Sequence, residues 1–279
     1  MTSRFPEDLS LNSLIALLRG SLILNVHCYT VWDMEMIIRL SHEFNFKIAA
    51  FHHAIEAWKF APTLAEEGIA AAIFVDSWGF KDEGYYASAY APSTLYAAGA
   101  TVIFKTDHPV ISGDTLMYEA AKATAYGFPQ TLALSAVTIN PATALNLQNR
   151  VGSIEVGKDA DIVLWDRSPF LAGAEVDKVY LNGVNLVDNE LSVPVIPANP
   201  ISTDVSVTPP LPLNSQQSLS SYTITNAVIY TGYDDITYSE LKVDNGLITC
   251  LSNSCNGTDY VFDLNGGTLI PVPSFLTAA

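Results

Sequence analysis

Basic side chains are scarce in this sequence: 13 Lys and Arg stand against 29 Asp and Glu, a formal net charge of −16 over 279 residues. With no basic stripe to neutralise phosphates, nucleic acid and anionic lipid are excluded as partners. The shortage is sharpest in the second half, where residues 151–279 carry 4 basic and 15 acidic side chains against 9 and 14 in residues 1–150. Long apolar runs are also lacking. None reaches the roughly 18 residues of a membrane span, and the opening MTSRFPEDLS lacks the basic-then-apolar order of a signal peptide. Three cysteines are too few for a disulfide framework, although Cys250 and Cys255 flank a predicted turn and are placed to pair in an oxidising compartment. What is abundant is apolar residues, at 49%, enough to bury a core in one large domain or two ordinary ones.

Strand-like runs end near His27 (SLILNVH), His53 (KIAAFHH), Val75 (IAAAIFV) and Thr106 (TVIFKT), each followed by a helical pattern. Apolar strands that alternate with helices imply a parallel sheet buried on both faces. Four such units correspond to half of a (β/α)8 barrel. In the first intervening helix, Thr30 with Asp33 predicts an N-terminal cap, and Met36, Ile37, Leu40 and Phe44 predict the covering face. Further helices are expected in GDTLMYEAAKATAYG, FPQTLALSAVT and NPATALNL. From Val151 the pattern turns to short alternating stretches with Asn-Gly turns, suited to antiparallel strands. The expected fold class is therefore α/β plus β. It comprises the last four βα units of a barrel over 1–150, a β-sandwich return over 151–190, a Pro/Ser-rich linker over 191–221 and a second β-sandwich segment over 222–279. The linker holds six prolines and no Lys or Arg. Beyond it three strand-like runs follow, with Asp244-Asn245-Gly246 a hairpin signal.

His27, His53 and Asp107 share a position at the C-terminal ends of predicted parallel strands. In a (β/α)8 barrel those ends surround the active site, so side chains far apart in sequence converge there. Imidazole and carboxylate are also the donors that a divalent ion such as zinc takes. Any one of the three alone reads as a loop or capping residue; the three in register form a candidate metal set. His52 and His53 are neighbours, and neighbours on a strand point to opposite sides. His53 is the preferred ligand, with His52 as its support or as a substrate contact. His108 is read either as a substrate-facing, proton-handling group or as a loop support. Lys105 shares a strand face with Asp107, and either pairs with it or touches substrate. Asp76, Trp78, Lys81 and Glu83, on the loop after the third strand, are candidates for specificity. His42 sits among polar neighbours and reads as a surface residue.

Three stretches resemble the amidohydrolase superfamily of metal-dependent hydrolases, especially its imidazolonepropionase-like and prolidase-like members. NVHCYTVWDMEMIIRLSHEFNFKIAAFHHAIEA is similar to the fifth and sixth strands with their metal-binding histidines, and FKTDHPV to the eighth-strand aspartate. SAVTINPATALNLQNRVGSIEVGKDADIVLWD is similar to the return from the barrel helices into the flanking sandwich. The segment from residue 222 resembles the N-terminal sandwich part that precedes such a barrel. It either opens a second copy in a tandem arrangement or completes the first sandwich in a permuted one.

The resemblance implies that His27, His53 and Asp107 bind metal, most naturally one or two zinc ions. Asp107 would also take a proton from the attacking water, and His52 and His108 would meet a small-molecule substrate. The implied reaction is hydrolysis of a non-peptide C–N bond, as in a cyclic amide. Deacetylation of an N-acetyl sugar and a non-catalytic binding role are the alternatives. The family's first-strand His-x-His pair has no counterpart among the five histidines, so the site on this chain is expected to be incomplete. The missing half of the barrel or a second copy is the expected partner, and the isolated chain is expected to self-associate.

Overall fold

The structure, a computed structural model, describes residues 8–76, 81–186, 219–232, 237–257 and 260–271. After a short helix α1 (Asn12–Leu18), four strands alternate with helices: β1 (Leu24–His27), α2 (Val31–Phe44), β2 (Ile48–His52), α3 (Ala61–Glu67), β3 (Ala70–Ile73), α4 (Ala91–Ala97) and β4 (Val102–Phe104). All four strands are parallel, in the order β1-β2-β3-β4. Three closing helices follow: α5 (Leu116–Ala125), α6 (Gln130–Ser135) and α7 (Ile139–Ala144). The all-apolar strands are explained by burial on both faces: every residue of β3 and β4 is buried.

Helix α2 begins as its sequence predicts, with the Thr30 hydroxyl accepting from the Asp33 amide, and it ends at Asn45 in the left-handed region. Its buried stripe differs from the expected one. Met34, Ile38 and Ser41 face the core, whereas Met36 and Phe44 are exposed. Apolar residues occupy more than one side of this helix, so periodicity alone does not choose a face. Packing against β2 and the turn at residues 57–60 does.

The β-rich part contributes β5 (Ile162–Trp165), β6 (Val176–Leu181), β7 (Val184–Asn185), β8 (Tyr222–Thr225), β9 (Val228–Tyr230), β10 (Thr237–Tyr238), β11 (Glu240–Asp244), β12 (Leu247–Ser252), β13 (Val261–Asp263) and β14 (Thr268–Pro271). The three runs expected after residue 221 each break in two. The breaks fall where Asn226, Asn245-Gly246 and Asn265-Gly266 take positive φ, a conformation that asparagine and glycine tolerate. Asn245-Gly246 joins β11 to β12 as a tight hairpin. A Cβ on Gly246 would lie 2.6 Å from the Asn182 carbonyl oxygen, so this turn packs directly on the one between β6 and β7. Cys250 and Cys255 are disulfide-bonded, and Cys28 is free and buried. The linker expected at 191–221 lies outside the described residues up to 218.

Two sheets result, one ordered β10-β9-β14-β5-β6-β7 and the other β12-β11-β8-β13. Their shared core holds Ile162, Leu164, Tyr222, Ile229, Leu241 and Leu269. Strand β14 lies between β5, to which it is antiparallel, and β9, to which it is parallel. Residues after 219 therefore complete the sheet begun by residues 162–185, as in the permuted alternative. Ile270 also joins the core of the parallel-sheet unit, with Trp165 and Tyr230 packed against it.

Candidate active site

The parallel register pairs His27 with His52, so β1 and β2 deliver their histidines side by side. The next residue, His53, has φ of 49°, and Asp107, just past β4, has φ of 53°. This left-handed backbone costs a non-glycine residue about 1 kcal/mol or more, and it turns each chain away from its strand line. The turn resolves the alternation between His52 and His53, since both rings now contact His27. The His27 ring stacks on His52 with centroids 4.8 Å apart and lies 4.7 Å from His53 at a steep tilt.

One hydrogen-bonded chain runs through the cluster. His27 Nδ1 lies 2.7 Å from His53 Nε2, and His53 Nδ1 lies 2.6 Å from Asp107 Oδ2. The other carboxylate oxygen, Oδ1, accepts from Lys105 Nζ at 2.8 Å. Lys105 is fully buried and also lies 3.4 Å from His52 Nδ1. His52 Nε2 is 3.0 Å from Asn25 Oδ1. Lys105 thus pairs with the carboxylate. An Nε2–H tautomer lets His52 donate to Asn25 while its Nδ1 accepts from the ammonium.

Burial, with the Lys105 charge adding to it and Asp107 opposing, lowers the pKa of His52 to about 3 and that of His53 to about 4. His27 is lowered for the same first two reasons. The rings are therefore neutral at neutral pH, the form that binds metals. A sign follows for stability. Histidines depressed in the folded state contribute fully above their unfolded value of about 6.5, and that contribution is lost as pH falls toward about 3. Urea midpoints of the metal-free chain are expected to be flat above pH 7 and lower at pH 4.5. His52→Gln should flatten the slope.

His52 is buried and does not line the cavity at the strand ends; its place is behind Lys105 and Asn25. His108 is exposed, and its Nδ1 accepts the Gly113 amide at 3.1 Å, holding the loop after β4. His42 is a surface partner of Glu67. Asp76 bonds Lys122 at 2.5 Å. Lys122 also pairs with Glu119, whose carboxylate takes the Val75 amide at 3.0 Å. Asp76 thus belongs to a clamp on the end of β3. Trp78 lies outside the described residues.

The cavity over His53 and Asp107 encloses about 440 Å3, its open mouth included, and its walls include Tyr29, Ile55, Phe74 and Lys81. Tyr29, Phe74 and Asn25 were not anticipated from the sequence. Asn25 carried a usable signal, as a polar residue two places before His27 on the same strand face.

Two neutral imidazoles and a carboxylate linked in a row through His53 fit a divalent ion by donor chemistry. Their spacing is that of a hydrogen-bonded chain, because His53 commits both ring nitrogens to its neighbours. Among the described residues, no group of three or more His, Cys, Asp or Glu is arranged to hold a metal. Holding one requires the His27–His53 hydrogen bond to open, since tetrahedral ligands at about 2.0–2.1 Å keep nitrogens farther apart than this pair.

Residues 88–186 match the model of the amidohydrolase family. A relative named amidohydrolase tasK, from Hapsidospora irregularis, is 40% identical over 204 residues, covering 72% of this chain and 20% of its own length. An imidazolonepropionase from Geobacillus sp. (strain WCH70) is 32% identical over 130 residues, 45% of this chain and 28% of the relative. The crystal structure of an amidohydrolase from Thermotoga maritima MSB8 superposes with a TM-score of 0.63 at 32% identity, over 66% of this chain and 48% of that one. The chain belongs to the amidohydrolase superfamily. It spans between a fifth and about half of the length of these relatives. The family-model match extends from α4 through β7, so it includes Lys105 and Asp107 but not His27 or His53.

Proposed function

We infer that this chain carries part of a metal-dependent hydrolase acting on C–N bonds other than peptide bonds, with cyclic amides as the substrate class. The observation that supports this most is the meeting of His27, His53 and Asp107 at the ends of three parallel strands, beneath a cavity. In this reading β1 to β4 with their helices are the last four units of a (β/α)8 barrel over residues 1–150, and the two sheets beyond are its flanking sandwich.

His27, His53 and Asp107 would hold a divalent ion once the His27–His53 hydrogen bond opens, zinc being the natural choice for imidazole and carboxylate donors. When bound, it would supply Lewis acidity to water and to a substrate carbonyl. Asp107 would accept the proton of that water. Lys105 fixes Oδ1 of that carboxylate and leaves Oδ2 toward the cavity, where His53 now occupies it. His52 holds Lys105 in turn, through Nδ1. The apolar walls at Phe74 and Ile55 keep bulk water from the scissile bond.

The same reading accounts for the open side of β1, whose one strand neighbour among the described residues is β2. Leu14, Leu18, Leu22, Ile23, Trp32 and Met36, in the segments just before and after β1, are exposed, and the preceding units of a barrel, or a second copy of the chain, would cover them.

Metal analysis of the intact protein tests the proposal. A divalent metal near one equivalent or above is expected, falling at least tenfold in His27→Ala and His53→Ala together with cyclic-amide hydrolysis. A protein without metal, indifferent to both substitutions, would be a binding module and not a hydrolase.

A further inference from the structure

The segment that joins β12 to β13 carries features that the hydrolase site does not use. Asn256 is the one asparagine of the chain with Ser or Thr two places on and no proline between, in Asn256-Gly257-Thr258. That triplet is the acceptor sequence for N-glycosylation, found on surface loops of proteins that pass through a secretory compartment. Such triplets also arise by chance, so the surroundings decide. Asn256 and Gly257 are exposed and lie outside regular structure. The residue before them, Cys255, is disulfide-bonded to Cys250 on β12, a bond that persists in oxidising compartments and is rare where thiols are kept reduced. The first residues of a chain that spans a fifth to about half of its relatives' length do not assign the compartment; the disulfide does.

Asn256 follows directly on a fixed point. Asn253 Oδ1 accepts the Ser239 amide at 3.2 Å, and the Cys255 amide donates to Glu240 Oε2 at 2.6 Å, so the chain is tied to the sheet up to the residue before it. The neighbouring surface gives a sugar something to cover. Among the described residues β13 is an edge of the sheet ordered β12-β11-β8-β13, and Tyr260 and Val261, at its start, are exposed. A Cβ on Gly257 would lie 4.0 Å from Val261 Cγ2, which places Asn256 next to that apolar edge. Edge strands with exposed apolar side chains invite pairing with other chains, and a bulky, hydrated oligosaccharide opposes it.

We propose that Asn256 is N-glycosylated and that its oligosaccharide shields the β13 edge. In the transfer, Asn256 Nδ2 forms a bond to C1 of an N-acetylhexosamine as the bond from that carbon to a lipid diphosphate donor breaks. The diphosphate leaves with the bonding electrons, and the amide nitrogen gives up one proton. Neither part depends on the hydrolase reading, because no residue of this sheet lines the cavity.

The test is mass spectrometry of the intact protein isolated from the cells that make it, with thiols alkylated before and after reduction. The peptide from Ser252 to Tyr260 is expected to carry a mass excess of hexose and N-acetylhexosamine units, which peptide N-glycosidase removes, leaving aspartate at position 256. Cys250 and Cys255 should resist alkylation until reduced. Asn256→Gln and Thr258→Ala, made in the same cells, should each lose the excess completely, whereas Thr258→Ser should keep it. Light scattering should show the glycosidase-treated protein associating at about tenfold lower concentration than the untreated protein. An unmodified Asn256, an excess that survives in both Asn256→Gln and Thr258→Ala, or free thiols at Cys250 and Cys255 overturns the site. Equal association of treated and untreated protein overturns the shielding.

Discussion

Replacing Asp107 by alanine is expected to destabilise the chain by about 3–5 kcal/mol, the cost of stranding one member of a buried ion pair, and, under the proposed function, to remove hydrolysis altogether. The reason lies behind the site. The Lys105 side chain is fully buried, and among the described residues Asp107 Oδ1 is its one carboxylate partner, at 2.8 Å. Burial already lowers the Lys105 pKa, and Asp107 is what opposes that shift. Without the carboxylate the ammonium either remains charged in an apolar setting or gives up its proton, and both routes cost stability. A second substitution separates the two effects. Lys105→Met combined with Asp107→Ala removes both charges and fills the space with an apolar chain, so most of the stability should return while hydrolysis does not. Denaturant midpoints and turnover of the single and double variants check this. Equal stability of Asp107→Ala and the parent would show that Lys105 does not depend on Asp107.

Ending the chain after residue 186 is expected to have a larger effect still: loss of cooperative unfolding, with aggregation. The deletion removes β8 to β14, β5's neighbour β14 among them, and takes with them the buried Tyr222, Ile229, Leu241, Val243 and Leu269. Each fully buried side chain of this kind contributes about 1.5–3 kcal/mol, so their sum is comparable to the roughly 5–15 kcal/mol by which domains are stable. Ile162 and Leu164, buried now, would face water on a strand that keeps β6 but loses its other neighbour. Ile270 adds a second loss, since it packs into the core of the parallel-sheet unit. Supplying residues 187–279 as a separate chain should restore a soluble complex. Size-exclusion chromatography and thermal melts decide the matter: a shortened chain that is monomeric and melts at the parent temperature would show that the tail is dispensable.

Much of the local structure was legible because short-range rules govern it. All four parallel strands lie within the apolar runs that announced them, since a strand buried on both faces has no polar position to spare. The Asn245-Gly246 hairpin was legible because few residue pairs accept two successive positive φ angles. The nearness of His27, His53 and Asp107 was legible because parallel strands align their C-terminal ends.

What the sequence by itself determined is therefore the alternation of strands and helices, the turns, and which donor-bearing residues stand at strand ends. Only the tertiary structure decided how those residues divide their work. The left-handed turn at His53 brought it round to Asp107 and left His52 buried behind Lys105, a choice that alternation along a strand could not make. The buried stripe of α2, the insertion of β14 between β5 and β9, and the meeting of Lys81 with Tyr29 over the cavity were likewise settled by packing. Lys81 and Tyr29 lie 52 residues apart, and β14 meets β5 across more than a hundred positions. No local preference specifies such pairings; they follow from the burial of apolar area and the pairing of backbone groups over the whole chain.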